Sequence, residues 1–288
     1  MSDLTKTLLA SAAFSAALST SVFADVRMSG VLTDAEDGNR FFTRLGGEAN
    51  DSLTISGLEE GADYVLVTTL LDAGSGEKVK VVETPLTAEG AEAQLVVTLP
   101  VPRNEGDLNI DYVTHHLLRR AGEDEVLAEM TGDAADPERS IQVHSIQRIH
   151  VLSVKDASDG DNRIDGDGGK IEATLRYENM VEGYDYTVWG QLLTPSGQSR
   201  GIFAAIPGFA PDAKAGELTL TFDIPPGLDG LSVTPSVGIF HQNRVEIRQD
   251  GNITWLEGAP TPVMIASHVD LSDESLAVEV GVPFGQTD

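Results

Sequence analysis

The sequence of 288 residues contains no cysteine, which excludes a disulfide framework, a thiolate zinc site, a cysteine nucleophile and an acylated lipoprotein anchor. Aromatic residues make up only 6% of the chain, and 19 Lys and Arg stand against 46 Asp and Glu, for a formal net charge of −27. Nucleic acid and anionic membrane surfaces repel a chain this acidic, so neither is expected as a partner. The simplest interpretation of the acidity is solubility in an exposed or salty setting.

Long apolar runs are also missing after the first 24 residues, so no membrane insertion of the remaining chain is predicted. The segment 1–24 is interpreted as a secretory signal peptide. Lys6 gives a weakly positive start, Leu8–Phe23 is apolar and small, and Ala24 is the small residue before the cleavage point. The alternative is an N-terminal helix that packs on the first domain. We therefore expect an exported protein that is periplasmic, at the cell surface or secreted.

The remaining chain is predicted to contain one module twice. Gly61 and Tyr64 in the stretch 56–71 (SGLEEGADYVLVTTLL) recur 122 residues later as Gly183 and Tyr186 in the stretch 177–193 (YENMVEGYDYTVWGQLL). An acidic turn at 34–39 recurs at 156–161, and an alternating strand followed by proline occurs at 95–102 and again at 218–225. Repeats of this size indicate tandem domains, predicted at residues 25–145 and 146–288 and joined without a Pro- or Gly-rich spacer.

Both predicted domains consist of short segments with the alternating apolar pattern of β-strands, and no convincing helical periodicity follows residue 24. Turns rich in Gly, Asp and Pro between such strands indicate an all-β fold of two sandwiches. The repeated stretches 52–71 and 171–193 are each interpreted as a β-hairpin. A further hairpin is predicted at Val245–Leu256, turning at the Asp-Gly-Asn of 250–252, and the last strand at Leu276–Val282.

Residues 149–284 resemble the VaFE repeat, also called the T-Q ester bond domain, of bacterial surface adhesins. The resemblance rests on the acidic turn at 156–161 and on a final His-x-Asp-x-x-Asp segment, here His268, Asp270 and Asp273. It rests further on the spacing of Tyr177, Asn179, Met180, Gly183, Tyr186, Val188, Gly190 and Leu192. Residues 25–145 match more faintly. The resemblance implies immunoglobulin-like sandwiches of the collagen-adhesin B type, with a mechanical or spacer role outside the cell.

Crosslinking members of that family join a first-strand threonine to a last-strand glutamine as an ester and release ammonia, assisted by acidic residues and a histidine. The corresponding residues are Ser153 (threonine position), Leu276 (glutamine position), Ala173 and Ser236 (acid positions) and His268 (histidine position) in the second domain, and Val31 (threonine position) and Gln142 (glutamine position) in the first. An ester requires a hydroxyl and a carboxamide held face to face beside a base and an acid. Neither domain is therefore predicted to form the crosslink.

The sequence contains two other candidate binding sites. Asp159, Asp161, Asp165 and Asp167 lie on one loop, and several carboxylates suit Ca²⁺, although the spacing is not that of an EF-hand and a solvated acidic turn is the simpler interpretation. Trp189 has the opposite strand parity to Tyr186 and Val188. It is predicted either to offer a patch for a protein or glycan or to pack under a neighbouring strand. No cofactor is predicted.

Nothing in the sequence indicates catalysis. No serine is expected in a nucleophile elbow, because an elbow joins a strand to a helix and no helical periodicity follows residue 24, and the sequence contains no HExxH metalloprotease motif and no glycine-rich phosphate loop. The sequence favours an exported, non-catalytic structural or adhesin-like protein whose partner is a protein or glycan outside the cytoplasm. The alternative is a periplasmic carbohydrate- or ligand-binding protein.

Overall fold

The computed structural model describes residues 25–241, 244–258 and 261–281, so the predicted signal peptide at 1–24 lies outside the described residues. The strands are β1 (Arg27–Asp34), β2 (Phe41–Phe42), β3 (Gly47–Ser56), β4 (Asp63–Asp72), β5 (Lys78–Thr87), β6 (Glu92–Val101), β7 (Ile110–Arg120), β8 (Val126–Thr131), β9 (Ser140–Val143), β10 (Arg148–Asp156), β11 (Arg163–Ile164), β12 (Gly169–Glu178), β13 (Tyr186–Leu193), β14 (Ser199–Phe209), β15 (Gly216–Ile224), β16 (Leu231–His241), β17 (Val245–Ile247), β18 (Ile253–Trp255), β19 (Met264–His268) and β20 (Val278–Val280). A 3₁₀ turn at Glu274–Leu276 precedes β20.

The strands form two sandwiches of the same topology, which confirms the predicted all-β fold. In the first, the sheet β1-β3-β6 packs on the sheet β2-β9-β7-β4-β5, and β8 pairs with the same edge of β7 as β9. In the second, the sheet β10-β12-β15 packs on β11-β20-β16-β13-β14, with β19 beside β16. The small hairpin β17-β18, predicted from its turn sequence, is present only in the second sandwich among the described residues.

Period-two alternation builds the core of each sandwich, because successive side chains of a strand point to opposite faces of its sheet. In β3, Ala49, Leu53 and Ile55 are buried, and in β12 the buried row contains Ile171 and Leu175. Each row packs against the facing sheet to form one apolar core per sandwich. The positions that the alternation places inside are therefore the ones that hold each pair of sheets together.

The predicted hairpins at 52–71 and 171–193 are wrong. β3 pairs with β1 and β6, whereas β4 pairs with β5 and β7 in the opposite sheet, and β12 and β13 are separated in the same way. The connection between the two strands crosses from one sheet to the other, with Gly61 and Gly183 at positive φ values of 78° and 70°. A strand, a glycine turn and a strand give the same local pattern whether the second strand pairs with the first or crosses the core.

The final predicted strand is shorter than expected. Leu276 lies in the 3₁₀ turn, where Asp273 caps the turn by accepting a hydrogen bond from the Ser275 N–H. The strand itself begins at Val278, and Val282 lies beyond the described residues. Within the described part of the chain, no helix is long and apolar enough to span a membrane.

The four residues between β9 and β10 are largely inaccessible to solvent. His144, Ser145 and Gln147 are buried. Phe41 of the first sandwich packs against the core of the second, with its ring centroid 4.9 Å from that of Tyr184. A short, buried linker with apolar contacts across it restricts the relative motion of the two sandwiches.

Candidate functional site

The strand register decides what faces the position where the related domains form their ester. Val31 pairs with Ser52 on β1-β3, and Ser153 pairs with Thr174 on β10-β12, so the two residues occupy equivalent places in the repeat. Val31 is 41% exposed. Ser153 is exposed as well, at an irregularity in β10 between Val151 and Ser153. Both predicted nucleophile positions therefore point away from the sandwich interior.

The interior of the first sandwich contains a buried ionic cluster that the sequence analysis missed. It consists of Asp51 on β3, Thr68 on β4, Thr114 and His116 on β7, and Arg139 just before β9. The Arg139 Nη1 donates to the Asp51 Oδ1 at 3.1 Å, and the Thr114 hydroxyl donates to the Asp51 Oδ2 at 2.6 Å. The ionic cluster thus links β3 of one sheet to β7 and the start of β9 of the other.

His116 completes the cluster from the centre of the facing sheet. Its Nε2 lies 3.0 Å from the Asp51 Oδ2, and its Nδ1 lies 3.1 Å from the Thr68 hydroxyl. The neighbouring His115 points to the opposite face and contacts the Thr131 hydroxyl, because successive side chains of a strand alternate between the two faces of its sheet. Asp51 and His116 are both 0% exposed and Arg139 is 8% exposed, so the cluster is almost fully shielded from solvent.

The partners of Asp51 keep its carboxylate ionised. Burial alone raises the pKa of Asp51, but the hydrogen bonds from His116 and Thr114 and the positive charge of Arg139 outweigh it and hold that pKa below its usual range. A buried carboxylate that is paired and hydrogen-bonded on both oxygens is tolerated, whereas an unpaired one is not. The cluster is therefore a structural unit whose members depend on one another.

The second sandwich has apolar residues at the equivalent positions. Asp51 corresponds to Ala173 at the repeat offset of 122 residues, and Thr68 corresponds to Gly190. Because Thr68 pairs with His116 and Gly190 pairs with Val237, His116 corresponds to Val237. Added side-chain volume is not accommodated at Gly190, where a Cβ would lie 2.8 Å from Leu220 and 2.9 Å from Phe222. The same interior site is thus ionic in one sandwich and hydrocarbon in the other.

The glutamine position of the first domain is occupied by Arg139 and not by Gln142. On the central strands, Tyr112 pairs with Ile141 in the first sandwich and Val233 pairs with Val278 in the second, so Ile141 and Val278 are equivalent. Arg139 and Leu276 each lie two residues before these positions and are therefore equivalent to each other. Both residues donate their backbone N–H three residues back, Arg139 to Asp136 and Leu276 to Asp273.

Gln142 lies elsewhere in the sheet. It pairs with Phe41 on β2, and its Nε2 donates to Asp111 at 2.9 Å. The glutamine position predicted from the sequence is therefore three residues too far along the chain, since the turn before the last strand aligns Asp136 with Asp273.

The structure brings three of the five second-domain positions together. Ala173 and Leu276 are buried in the core, and His268 lies beside Val237 on β19. The His268 Nδ1 accepts a hydrogen bond from the Val151 N–H at 3.3 Å. Burial and the neighbouring His150 lower the pKa of His268. Ser236 pairs with Gln191 with the parity opposite to Val237 and so points to the outer face of its sheet.

A model of the T-Q ester bond containing domain matches this chain twice, over residues 18–134 and 151–280. The matched segments correspond to the two sandwiches. The chain belongs to the T-Q ester bond domain family. Among curated proteins, none matches it.

Solved structures with a similar arrangement include two crystal forms of a bacterial adhesin from Mobiluncus mulieris containing intramolecular disulfide, isopeptide and ester bond cross-links. The form in space group P21 has a TM-score of 0.39 and 11% identity and covers 85% of this chain and 96% of the adhesin chain. The form in space group P1 has a TM-score of 0.35 and 10% identity and covers 90% of this chain and 99% of the adhesin chain.

In this member of the T-Q ester bond domain family, Trp189 does not form the exposed patch predicted for binding a protein or glycan. Trp189 is only 9% exposed because the hairpin β17-β18 covers the outer face of β13. Its ring stacks on Phe203, with the ring centroids 5.8 Å apart, and it packs with Phe240 and Val245. The alternative interpretation, packing under a neighbouring strand, is therefore correct. Trp255 on the same hairpin is an exposed aromatic side chain, at 69% exposure.

The acidic loop of the second domain brings together a different set of carboxylates from the one predicted. Oxygen atoms of Asp156, Asp159 and Asp161 lie within 4.8 Å of one another, and the latter two residues are exposed. Asp165 and Asp167 lie outside this group. Asp156 belongs to the predicted acidic turn but was not among the predicted calcium ligands. It is the last residue of β10, and its side chain accepts a hydrogen bond from the Ser158 N–H.

Titratable side chains also line the junction between the sandwiches. Burial lowers the pKa of His144 to about 3, with a further contribution from His241, and burial and Arg244 lower the pKa of His241 to about 3. The His241 Nε2 lies 2.8 Å from the Tyr184 hydroxyl, whose pKa burial raises. Burial raises the pKa of Asp34 to about 6. Both histidines are thus neutral at physiological pH, which the apolar contacts around them require.

Proposed function

We propose that the chain is an exported, non-catalytic, adhesin-like structural protein whose two domains do not form the ester crosslink of their family. The observation that carries this proposal is the strand register. The first-strand positions at Val31 and Ser153 face outward, while Arg139 and Leu276 occupy the glutamine positions. A Thr-Gln ester needs a hydroxyl within bonding distance of a carboxamide, and neither sandwich offers that pair.

The ionic cluster supports a mechanical role for the first domain. In crosslinked relatives a covalent bond joins the first and last strands, whereas here Arg139, beside the last strand, binds Asp51 on β3. The exchange replaces a permanent link between the first and last strands by a reversible one between β3 and the segment before the last strand. In the second domain the equivalent interior is held by apolar packing, since Ala173, Val237 and Leu276 fill it.

The junction supports the same role. A spacer transmits force along its length only if its modules do not hinge freely. The buried linker and the Phe41–Tyr184 contact supply that stiffness here. Loops at the ends of the sandwiches are the places where such a frame offers contacts to a partner, which we propose to be a protein or glycan outside the cytoplasm.

The experiment that tests export and surface location is fractionation of the source cells, followed by protease treatment of intact cells. Cleavage of the protein on intact cells, or its recovery from the medium, is the expected result. Protein that retains residues 1–24 in the cytoplasmic fraction would refute the proposal.

A second candidate, a soluble periplasmic glycan-binding protein, is favoured by the exposed Trp255, since an exposed indole ring stacks on sugar rings. It predicts that the protein remains protected inside intact cells and that Trp255→Ala abolishes retention on a glycan array. Retention unchanged by that substitution would exclude this candidate.

A further inference from the structure

Two histidines lie in the contact between the sandwiches. His144 is the first residue after β9, and His241 is the last residue of β16. Both residues are 0% exposed, and their ring centroids are 5.2 Å apart. Phe41 of the first sandwich and Tyr184 of the second pack against His144, with ring centroids at 5.9 Å and 5.1 Å. We call these four residues, Phe41, His144, Tyr184 and His241, the histidine junction.

The hydrogen bonds of the two rings disfavour a second proton on either of them. The His144 Nδ1 lies 3.2 Å from the Gln147 Nε2, and the His241 Nε2 lies 2.8 Å from the Tyr184 hydroxyl. The other nitrogens, His144 Nε2 and His241 Nδ1, are buried without a hydrogen-bond partner among the described residues. Because a charged imidazolium donates from both nitrogens, protonation would leave a buried cation with an unsatisfied N–H group in each ring.

The charged groups around the rings add to this effect. Arg244, whose side chain is only 5% exposed, faces His241, and the two histidines face each other. The backbone of Phe41 favours the charged form of His241, but burial and Arg244 outweigh it. The nearby carboxylates of Glu36 and Asp37 are already bound to Arg244. Four other titratable side chains surround the same contact: Asp34, Arg40, Tyr184 and Tyr186. A proton on either histidine is therefore repelled by the other ring and, at His241, by Arg244.

The contact is a local joint and not a core shared by both domains. Each sandwich has its own apolar core, and Phe41 packs against the core of the second sandwich from the first. A cleft of 350 Å³ already separates the sandwiches beside the linker, with Leu108 on one side and Lys214 on the other. Loss of the contact therefore leaves the interior packing of each sandwich in place.

We propose that the histidine junction is an acid-triggered hinge, in which protonation of His144 and His241 opens the contact between the sandwiches while each sandwich stays folded. The buried charge is relieved only when the rings reach water, and separation of Phe41 from Tyr184 lets water in without disrupting either core. The linker at 144–147 keeps the domains joined. Opening converts a stiff spacer into a hinged one, a consequence that rests on the proposed mechanical role, whereas the hinge itself does not.

The size of the response follows from the protons that the open state takes up. With pKa values of about 3 in the closed contact and about 6.5 in water, the two histidines raise the ratio of open to closed molecules roughly 600-fold between pH 7 and pH 5. Asp34, whose pKa is raised to about 6, takes up a proton in the closed state and opposes this change. Full release of Asp34 on opening would reduce the rise to roughly 60-fold.

The absence of cysteine makes the opening measurable by thiol labelling of the full chain. Ser145→Cys places a thiol in the linker, where Ser145 is 2% exposed. Its rate of reaction with 4,4′-dithiodipyridine, divided by that of N-acetylcysteine at the same pH, reports the open fraction. Val97→Cys and Val188→Cys, at positions 3% and 0% exposed, place control thiols in the two cores and report unfolding of each sandwich. Nanomolar protein limits association near the isoelectric point of about 4.3.

We expect the normalised labelling of Ser145→Cys to rise roughly 60-fold to 600-fold from pH 7 to pH 5, while both core thiols stay protected. Addition of His144→Asn and His241→Gln, whose amides keep the hydrogen-bonding atom of each ring but do not titrate, is expected to abolish the rise. His115→Asn removes an outward-facing histidine of β7 and is the matched control that leaves the rise unchanged. A flat response, a rise that survives the double substitution, or core thiols labelled in step with Ser145→Cys would overturn the proposal.

Discussion

Replacing the ionic cluster of the first sandwich by the residues of the second is the most informative perturbation of the fold. The single variants are Asp51→Ala, His116→Val and Arg139→Leu, each of which installs the equivalent residue of the second sandwich, and the fourth variant combines them. The repeat thereby supplies its own apolar design for the same interior site. Asp51 and His116 are fully buried, so water does not compensate either residue for a missing partner.

The magnitudes follow from which charges are left unpaired. Arg139→Leu leaves the Asp51 carboxylate without its cationic partner. Asp51→Ala removes the carboxylate from the Arg139 guanidinium, which donates one hydrogen bond to Asp51 at 3.1 Å and one to Thr114 at 2.9 Å. Removing one partner of a buried pair costs about 3–5 kcal/mol, whereas replacing the whole set by apolar residues is about neutral or stabilising. We therefore expect each of these two variants to lose about 3–5 kcal/mol and the triple variant to lie within about 2 kcal/mol of the native protein.

The chain permits a clean assay for this prediction. Both tryptophans, Trp189 and Trp255, lie in the second sandwich, so their fluorescence reports unfolding there, while far-ultraviolet circular dichroism reports both sandwiches. Urea unfolding followed by both signals separates the two transitions, and the tryptophan transition serves as the internal control. Single variants that cost under about 1 kcal/mol, or a triple variant that costs the sum of the singles, would refute the reasoning.

Two further predictions concern the junction and the tryptophans. Because the pKa values of His144 and His241 are lowered to about 3, the stability that these groups contribute above pH 6.5 is lost as the pH falls. The pKa of Asp34, raised to about 6, acts in the opposite direction and adds stability below pH 6. The net change in the free energy of unfolding from pH 7 to pH 5 is a loss of roughly 2–3 kcal/mol. Urea unfolding at both pH values measures this loss, and stability that is flat or rises toward pH 5 would contradict it. Trp189→Ala is expected to cost about 3–5 kcal/mol because Trp189 packs under a hairpin, while Trp255→Ala stays within about 0.5 kcal/mol. Thermal unfolding of the two variants compares them directly, and equal losses would show that Trp189 is not a core residue.

Strand positions and the tandem repeat could be predicted from the sequence because both depend on local alternation and spacing. Strand pairing could not. The patterns of β3 and β4 are compatible with a hairpin, and only contacts far apart in the chain, of β3 with β1 and of β4 with β7, place them in opposite sheets. Ser153 points outward because of a single irregularity in β10 between Val151 and Ser153, and no residue type in the sequence predicts that irregularity.

The ionic cluster was within reach of the sequence. The repeat offset of 122 residues takes Ala173 back to Asp51, and Thr114 and His116 share the inward-facing parity of β7. The contribution of Arg139 depends on the length of the turn before β9, which sequence alignment misjudged by three residues. Arg244 binds Glu36 and Asp37, which lie more than 200 positions away in the sequence, so only the packing of the two sandwiches reveals this contact.

The central claim is that the two sandwiches are held by packing and by reversible ion pairing, without an ester. Intact-mass spectrometry of the purified, fully denatured chain tests it most directly, because each Thr-Gln or Ser-Gln ester releases one ammonia. We expect the mass of the processed sequence with no deficit. A deficit of one ammonia for either domain, abolished by treatment with hydroxylamine, would contradict the account.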